Sequence, residues 1–112
     1  SSAASDVYKR QDYSFYHAPA FIIASNTRGY ANGMADCACA MENMMLAAHS
    51  MGLGTVWINQ LKDTCGDAGV RKLLTAFGVP EDHDVYACCA IGTALGGAKA
   101  PDRKAGATAI VE

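Results

Sequence analysis

The chain has 112 residues, which is the size of a single domain. Its nine basic and eleven acidic residues give a net charge of −2, which argues against a nucleic-acid-binding protein because such proteins present a basic face. Alanine supplies 21 of the apolar residues, so few large side chains remain for a core, and burial against a second subunit would stabilise the fold.

No stretch of the sequence is typical of a membrane span or a secretion signal. The most apolar long region, residues 34–53, is interrupted by Asp36, Glu42, Asn43 and His49. The cysteines number five, which is odd, and most of them fall within predicted helices and strands. These features predict a reduced, cytoplasmic protein.

The first part of the chain carries little structural signal. Residues 1–12 show no usable periodicity, so we predict a disordered or non-native lead-in, followed by a partial domain over residues 13–112. We expect that the natural chain begins upstream of this lead-in. The apolar run from Ala20 to Ser25 has the length of a strand and predicts a buried strand, and residues 26–29 predict the turn after it.

A long helix is predicted from about Ala31 to Met51, with Gly52 as its left-handed cap. Apolar residues at a three-or-four spacing form one face: Met34, Cys37, Ala38, Met41, Met44, Met45, Ala48 and Met51. The opposite face also holds small or apolar residues: Cys39, Ala40, Leu46 and Ala47. A helix that is apolar nearly all round must be covered on most sides, so the pattern favours a partner subunit in addition to a sheet.

Three further strands are predicted downstream. Residues 55–58 are β-branched and aromatic, which predicts a short strand, and residues 85–92 are apolar on both faces, which predicts a central strand. Residues 82–84 predict a loop before the central strand. Residues 107–111 predict a last strand near the C-terminus.

A second helix is predicted between the first two of these strands. Residues 64–67 are typical of a helix start with an acidic third position. Its predicted buried stripe consists of Val70, Leu73, Leu74 and Phe77. Gly78 and Pro80 end the helix.

One succession of motifs resembles a known family. The apolar helix over residues 41–49 leads into Gly52-Leu53-Gly54 and then a strand that ends at residues 56–61, and Pro101-Asp102-Arg103-Lys104 follows far downstream. This order resembles the C-terminal part of the nitroreductase family of FMN-dependent NAD(P)H oxidoreductases, from about Tyr13 to the end. The resemblance implies an α+β fold, with a central, mostly antiparallel sheet flanked by helices. It also implies a homodimer with the long apolar helix at the interface.

The resemblance further implies a reaction and a site. In this family NAD(P)H gives a hydride to FMN, and the flavin then reduces a nitro compound, a quinone or a related acceptor. Trp57, Ile58 and Asn59 match the segment along the flavin ring, and Gln60 lies beside them. Arg103 matches the basic residue that binds the FMN phosphate, and Lys104 is a second candidate. The Arg-rich segment with which family members begin is absent from residues 1–16.

Two other functions compete with the flavin enzyme. One is a non-catalytic dimerisation module without stable flavin, in which Trp57 is a core aromatic residue and Arg103 and Lys104 form a solvated pair. The other is a thiol- or metal-binding protein that uses the cysteines.

The cysteine spacing speaks against a metal site. Neither Cys37 with Cys39 nor Cys88 with Cys89 has the two-residue gap of a zinc knuckle, and adjacent strand residues point to opposite faces. We therefore predict no metal ligands and interpret these four cysteines as buried small hydrophobic residues. Cys65 is interpreted as a surface thiol.

Overall fold

A computed structural model describes residues 17–97 and 99–112. The predicted lead-in over residues 1–12 lies outside the described residues. Three strands and three helices follow in chain order: β1 (Ala20–Thr27), α1 (Gly33–Ser50), β2 (Leu53–Ile58), α2 (Gln60–Thr64), α3 (Ala68–Ala76) and β3 (His83–Thr93).

The strands form an antiparallel sheet with β3 in the middle. The strand order is β1-β3-β2, and both outer strands run antiparallel to β3. The prediction that residues 85–92 form a central strand is therefore confirmed. Helices flank this sheet on both sides, which confirms the predicted α+β class with a mostly antiparallel sheet.

Each face of the sheet carries its own apolar cluster. On one face, α1 packs against the sheet through Cys37 and Met41, which meet Ala87 and Cys89 of β3. On the other face, α2 and α3 pack against the sheet, and the buried residues there are Ile58, Cys65, Leu74, Val85, Cys88 and Ala90. β3 contributes to both clusters, and its middle residues, 87–91, are all apolar, as expected for a strand covered on both sides.

β3 contains one extra residue relative to β1, which interrupts the alternation of its side chains between the two faces of the sheet. Ala24 pairs with Ala87 but Ser25 pairs with Val85, so Tyr86 has no opposite partner in β1. Tyr86 and Ala87 consequently both pack on the α1 face. A Cβ atom on Gly33 would lie 3.0 Å from Tyr86 Cε2, so a larger residue at the start of α1 would require this ring to move slightly.

The long helix has the predicted position, and Gly52 after it adopts the left-handed conformation with φ of 77°. Its buried residues are Gly33, Cys37, Met41 and Ala48. The predicted opposite face, which consists of Cys39, Ala40, Leu46 and Ala47, is exposed.

Three local predictions are wrong. Residues 60–64 form a helix of their own, α2, so Thr64 ends one helix and the next begins after Asp67. His83 and Asp84 belong to β3 rather than to a loop, because they pair with Thr27 and Asn26 of β1.

The third wrong prediction is the last strand over residues 107–111. These residues are exposed and form no strand, because no neighbouring strand lies beside them in the described part of the chain.

The second predicted helix buries less than expected. Only Leu74 of the predicted stripe is fully buried, at 2% exposure, whereas Leu73 and Phe77 are 59% and 76% exposed.

In the described part of the chain, no helix is both long enough and apolar enough to cross a membrane.

Candidate functional site

The first group of predicted site residues lies where β2 meets α2. Trp57 and Ile58 are the last two residues of β2, Asn59 is the link, and Gln60 is the first residue of α2. Because side chains alternate along a strand, Trp57 and Ile58 point to opposite faces. Ile58 is 3% exposed in the cluster below α2 and α3, so its side chain belongs to the core.

Trp57 is held by packing and by a hydrogen bond. It is half-buried and packs against the cluster that contains Met41 of α1 and Cys89 of β3, its partner across the sheet. Its indole Nε1–H donates to Asn59 Oδ1 over 2.8 Å. Asn59 and Gln60 are exposed, so this junction presents two amide side chains next to an immobilised indole.

The second group of predicted site residues lies in the C-terminal tail. Arg103 and Lys104 are exposed and line a hollow of about 400 Å³ together with other tail residues: Pro101, Asp102, Ala107 and Thr108. A guanidinium, an ammonium and a hydroxyl outnumber the single carboxylate there. This donor set suits a phosphate group.

The two groups do not meet in this protomer. The tail hollow is lined by residues 101–108 alone, and among the described residues no hydrogen bond or ion pair joins it to Trp57, Asn59 or Gln60. The end of β2 offers an apolar ring and two amides, which are groups that suit a flavin ring. The tail offers two cations, which suit the phosphate of FMN. The residues therefore fit FMN in kind.

The cysteines are thiols, and four of the five are buried. Cys39 is exposed, and Cys65 is buried rather than on the surface, so both of these predictions are wrong. Cys88 and Cys89 lie on opposite faces of β3, as predicted. Among the described residues, no three His, Cys, Asp or Glu side chains are grouped in a way that could hold a metal ion.

Burial raises the pKa of three of these thiols. For Cys88 the pKa rises from 9.0 to about 12, first because of burial and then because Cys65 and Cys89 lie close. Burial also raises the pKa of Cys37, helped by Asp36, and that of Cys89. These thiols therefore stay protonated at neutral pH, which makes them poor nucleophiles.

One polar cluster was not expected from the sequence. Ser25 Oγ and His83 Nδ1 are 2.9 Å apart, beside an apolar cleft of about 530 Å³ that Phe77 and Pro80 help to line. His83 therefore pairs with β1, whereas the sequence predicted a loop at residues 82–84. The pairing required the register between β1 and β3, which no local pattern in the sequence reveals.

A network of charges lies next to this cluster. Asp84 Oδ1 accepts from Arg28 Nε over 3.0 Å and from Arg71 Nη2 over 3.5 Å. These ion pairs join the turn after β1, α3 and β3. Asp84 lies four residues along β3 from Cys88, the residue opposite Ile58 at the end of β2, and among the described residues no hydrogen bond joins this network to Asn59 or Gln60.

Comparison with known proteins gives one family. The profile of the nitroreductase family matches residues 3–93. A crystal structure of a nitroreductase with bound FMN from Bacteroides fragilis is similar with a TM-score of 0.82 and 50% identity, and it covers 88% of this chain. A nitroreductase with bound FMN from Desulfitobacterium hafniense has a TM-score of 0.79 at 19% identity, covers 99% of this chain and supports the fold alone.

The relatives are longer than this chain. The chain covers 54% of the Bacteroides fragilis protein and 60% of the Desulfitobacterium hafniense protein. A protein from Methanothermobacter thermautotrophicus, provisionally named NADH dehydrogenase/NAD(P)H nitroreductase, is 46% identical over 48 residues, which are 41% of this chain and 22% of that protein. The similarity therefore covers between about a fifth and three fifths of each of these relatives.

Proposed function

The chain belongs to the nitroreductase family, and from that membership we propose that it forms part of an FMN-dependent oxidoreductase. In this proposal NAD(P)H is the hydride donor, and nitro compounds, quinones or related molecules are the acceptors. The observation that carries the proposal is the likeness to the FMN-bound Bacteroides fragilis protein, with 50% identity over most of this chain. FMN would supply the electron transfer, and the protein would supply binding and orientation.

The residues at the end of β2 would form the ring side of the site. The half-buried Trp57 offers an apolar surface whose position is fixed by the cluster on α1 and β3. Asn59 and Gln60 offer amide groups that hydrogen-bond to the polar edge of a ring system. Ile58 would act from the core by fixing the end of the strand.

The tail would form the phosphate side of the site. A guanidinium binds a phosphate through two parallel hydrogen bonds, so Arg103 is the stronger candidate and Lys104 the weaker one. Because the tail is exposed in the single protomer, binding requires the tail and the end of β2 to come together. FMN itself, or a second subunit, would bring about this approach.

A homodimer is the assembly that we propose. The exposed face of α1 carries Cys39, Ala40, Leu46 and Ala47, of which Leu46 is 60% exposed. Burying such a face against a second copy would remove apolar surface from water. The five unpaired thiols fit the reducing cytoplasm, which is the proposed compartment.

The test is to add FMN to the purified protein and to record its spectrum and its mass in solution. We expect a yellow dimer whose flavin absorption bleaches when NAD(P)H is added without oxygen. A dimer that stays colourless after FMN is added would support the second candidate, a dimerisation module, which the exposed face of α1 favours. A colourless monomer would contradict both.

A further inference from the structure

The side chain of Asn59 does not make the hydrogen bond that is usual at its position in the chain. It is the N-cap residue of α2, and an asparagine there usually accepts a hydrogen bond from the first turn of the helix. The side chain makes no such bond. Its Oδ1 accepts instead from Trp57 Nε1–H over 2.8 Å.

This hydrogen bond determines which way the amide of Asn59 faces. The indole nitrogen can only donate, so the amide oxygen, and not the nitrogen, must be its partner. The indole in turn is fixed by packing against the cluster of Met41 and Cys89. Nδ2 therefore lies on the side of the amide away from the indole, and none of the described residues accepts a hydrogen bond from it.

An exposed asparagine without such a bond would rotate freely and would offer donor and acceptor equally. The bond from Trp57 removes that choice at little entropic cost, because the indole is already held by the core. The end of β2 thus offers a pre-oriented N–H donor.

We propose that Trp57 is a positioning residue, whose indole N–H orients Asn59 so that Nδ2 donates to an acceptor atom on the polar edge of bound FMN. This inference rests on the proposed function, since it concerns the same site. The flavin ring carries carbonyl oxygens and ring nitrogens on that edge. A fixed donor there favours the ring when it carries more negative charge, so it raises the flavin reduction potential.

The experiment uses four variants and measures FMN dissociation constants and the flavin reduction potential. Asn59→Ala removes the amide, and Trp57→Phe keeps an aromatic ring but removes the indole donor. Asn59→Asp keeps an oxygen for the indole and replaces the N–H donor by a carboxylate. The fourth variant combines Trp57→Phe with Asn59→Ala.

We expect Asn59→Ala to weaken FMN binding about fivefold or more and Asn59→Asp to weaken it further, with a lower reduction potential in both. Trp57→Phe should weaken binding by a smaller factor. The double variant should bind FMN as Asn59→Ala does, because phenylalanine keeps the apolar surface and the lost indole N–H acts only through Asn59. Single effects that multiply in the double variant would overturn the inference.

A second readout needs no flavin. Trp57 is the one tryptophan of the chain, so its indole N–H gives a single resonance. We expect Asn59→Ala to shift that resonance and to speed its hydrogen exchange, whereas Asn59→Asp should retain slow exchange. Asn32→Ala is the matched control, since Asn32 is also an N-cap residue without a side-chain cap bond. An unchanged indole signal in Asn59→Ala would overturn the inference.

The outcomes separate the two claims. Wild-type protein that takes up no FMN overturns the proposed function and this inference together. Wild-type protein that binds FMN as tightly as Asn59→Ala does, at the same potential, overturns the inference alone.

Discussion

The two halves of the proposed site differ in how the fold holds them. The ring half lies at the end of β2, where Trp57 packs against the core and bonds to Asn59. The phosphate half lies in the tail, where Arg103, Lys104 and all other described residues after 98 are exposed. The first half is therefore held by the core of the protomer, whereas no residue of the second half is buried in it.

This difference has a thermodynamic consequence. A pre-oriented group loses little entropy when a ligand binds, whereas an exposed tail must be ordered at that moment, at a cost of about 1–2 kcal/mol per residue for the backbone. The ring half should thus become ordered when the chain folds, and the phosphate half only when FMN binds. Each of the predictions below separates these two kinds of coupling.

The largest effect is expected beneath the ring half. Met41 is fully buried in the cluster against which Trp57 packs. Met41→Ala should lower the free energy of unfolding by about 2–5 kcal/mol, because it leaves a cavity in the core. Urea denaturation followed by circular dichroism and by Trp57 fluorescence measures this loss.

The control for Met41 lies on the same helix. Leu46 is 60% exposed, and Leu46→Ala should change the unfolding free energy of the monomer by less than about 0.5 kcal/mol. Equal losses in the two variants would contradict the statement that the ring half rests on the core.

The next effect belongs to the phosphate half. Arg103→Ala should weaken FMN binding at least tenfold, about 1.4 kcal/mol, because it removes the guanidinium from the hollow. The free energy of unfolding without FMN should stay the same, since Arg103 is exposed. FMN titration and urea denaturation of the same preparation give both numbers.

Lys99→Ala provides a control with the same change in net charge. It alters the tail at an exposed position outside the lining of the hollow, so FMN affinity should change little. Affinity that falls equally in Arg103→Ala and Lys99→Ala would mean that only the overall charge matters, and it would remove Arg103 from the site.

A third prediction tests whether water is excluded from the face of the sheet that α2 and α3 cover, opposite the face on which Trp57 packs. Cys88 lies there, and burial raises its pKa from 9.0 to about 12. A raised pKa in the folded state means that the stabilisation is complete below pH 9 and is lost as pH rises towards 12. The contribution of Cys88 should fall by about 1 kcal/mol between pH 9 and pH 10.

The measurement is the free energy of unfolding of the wild type and of Cys88→Ala at both pH values. Taking the difference between the two proteins cancels the titration of other groups. A difference that does not change with pH would show that water reaches the Cys88 thiol.

The sequence predicted the parts of the fold that local patterns encode. The long helix, the glycine cap at Gly52 and the central β3 follow from spacing and from residue type. The failures share one cause, which is that tertiary partners decide the outcome. His83 joins β3 only because Thr27 pairs with it, and residues 107–111 pair with no strand among residues 17–97 and 99–112.

The candidate site stays a prediction. Its residues come from the family resemblance, and their chemistry follows from residue type. Neither the Trp57–Asn59 hydrogen bond nor the hollow in the tail could be predicted, since both depend on side-chain orientation and on the path of the chain. Asn59 in particular resembles an ordinary helix cap in sequence. Only the structure shows that its Oδ1 accepts a hydrogen bond from the Trp57 indole instead.

The smallest effect is expected at Lys104. Its ammonium lines the same hollow as the Arg103 guanidinium, but it offers a point charge in place of two parallel hydrogen bonds. Lys104→Ala should therefore weaken FMN binding less than about threefold, and added salt should erase most of that difference because the charge is exposed. Titrating FMN into Lys104→Ala and Arg103→Ala at low and high salt tests this order. A larger loss in Lys104→Ala would make Lys104 the phosphate ligand, and the phosphate half would then depend on charge rather than on geometry.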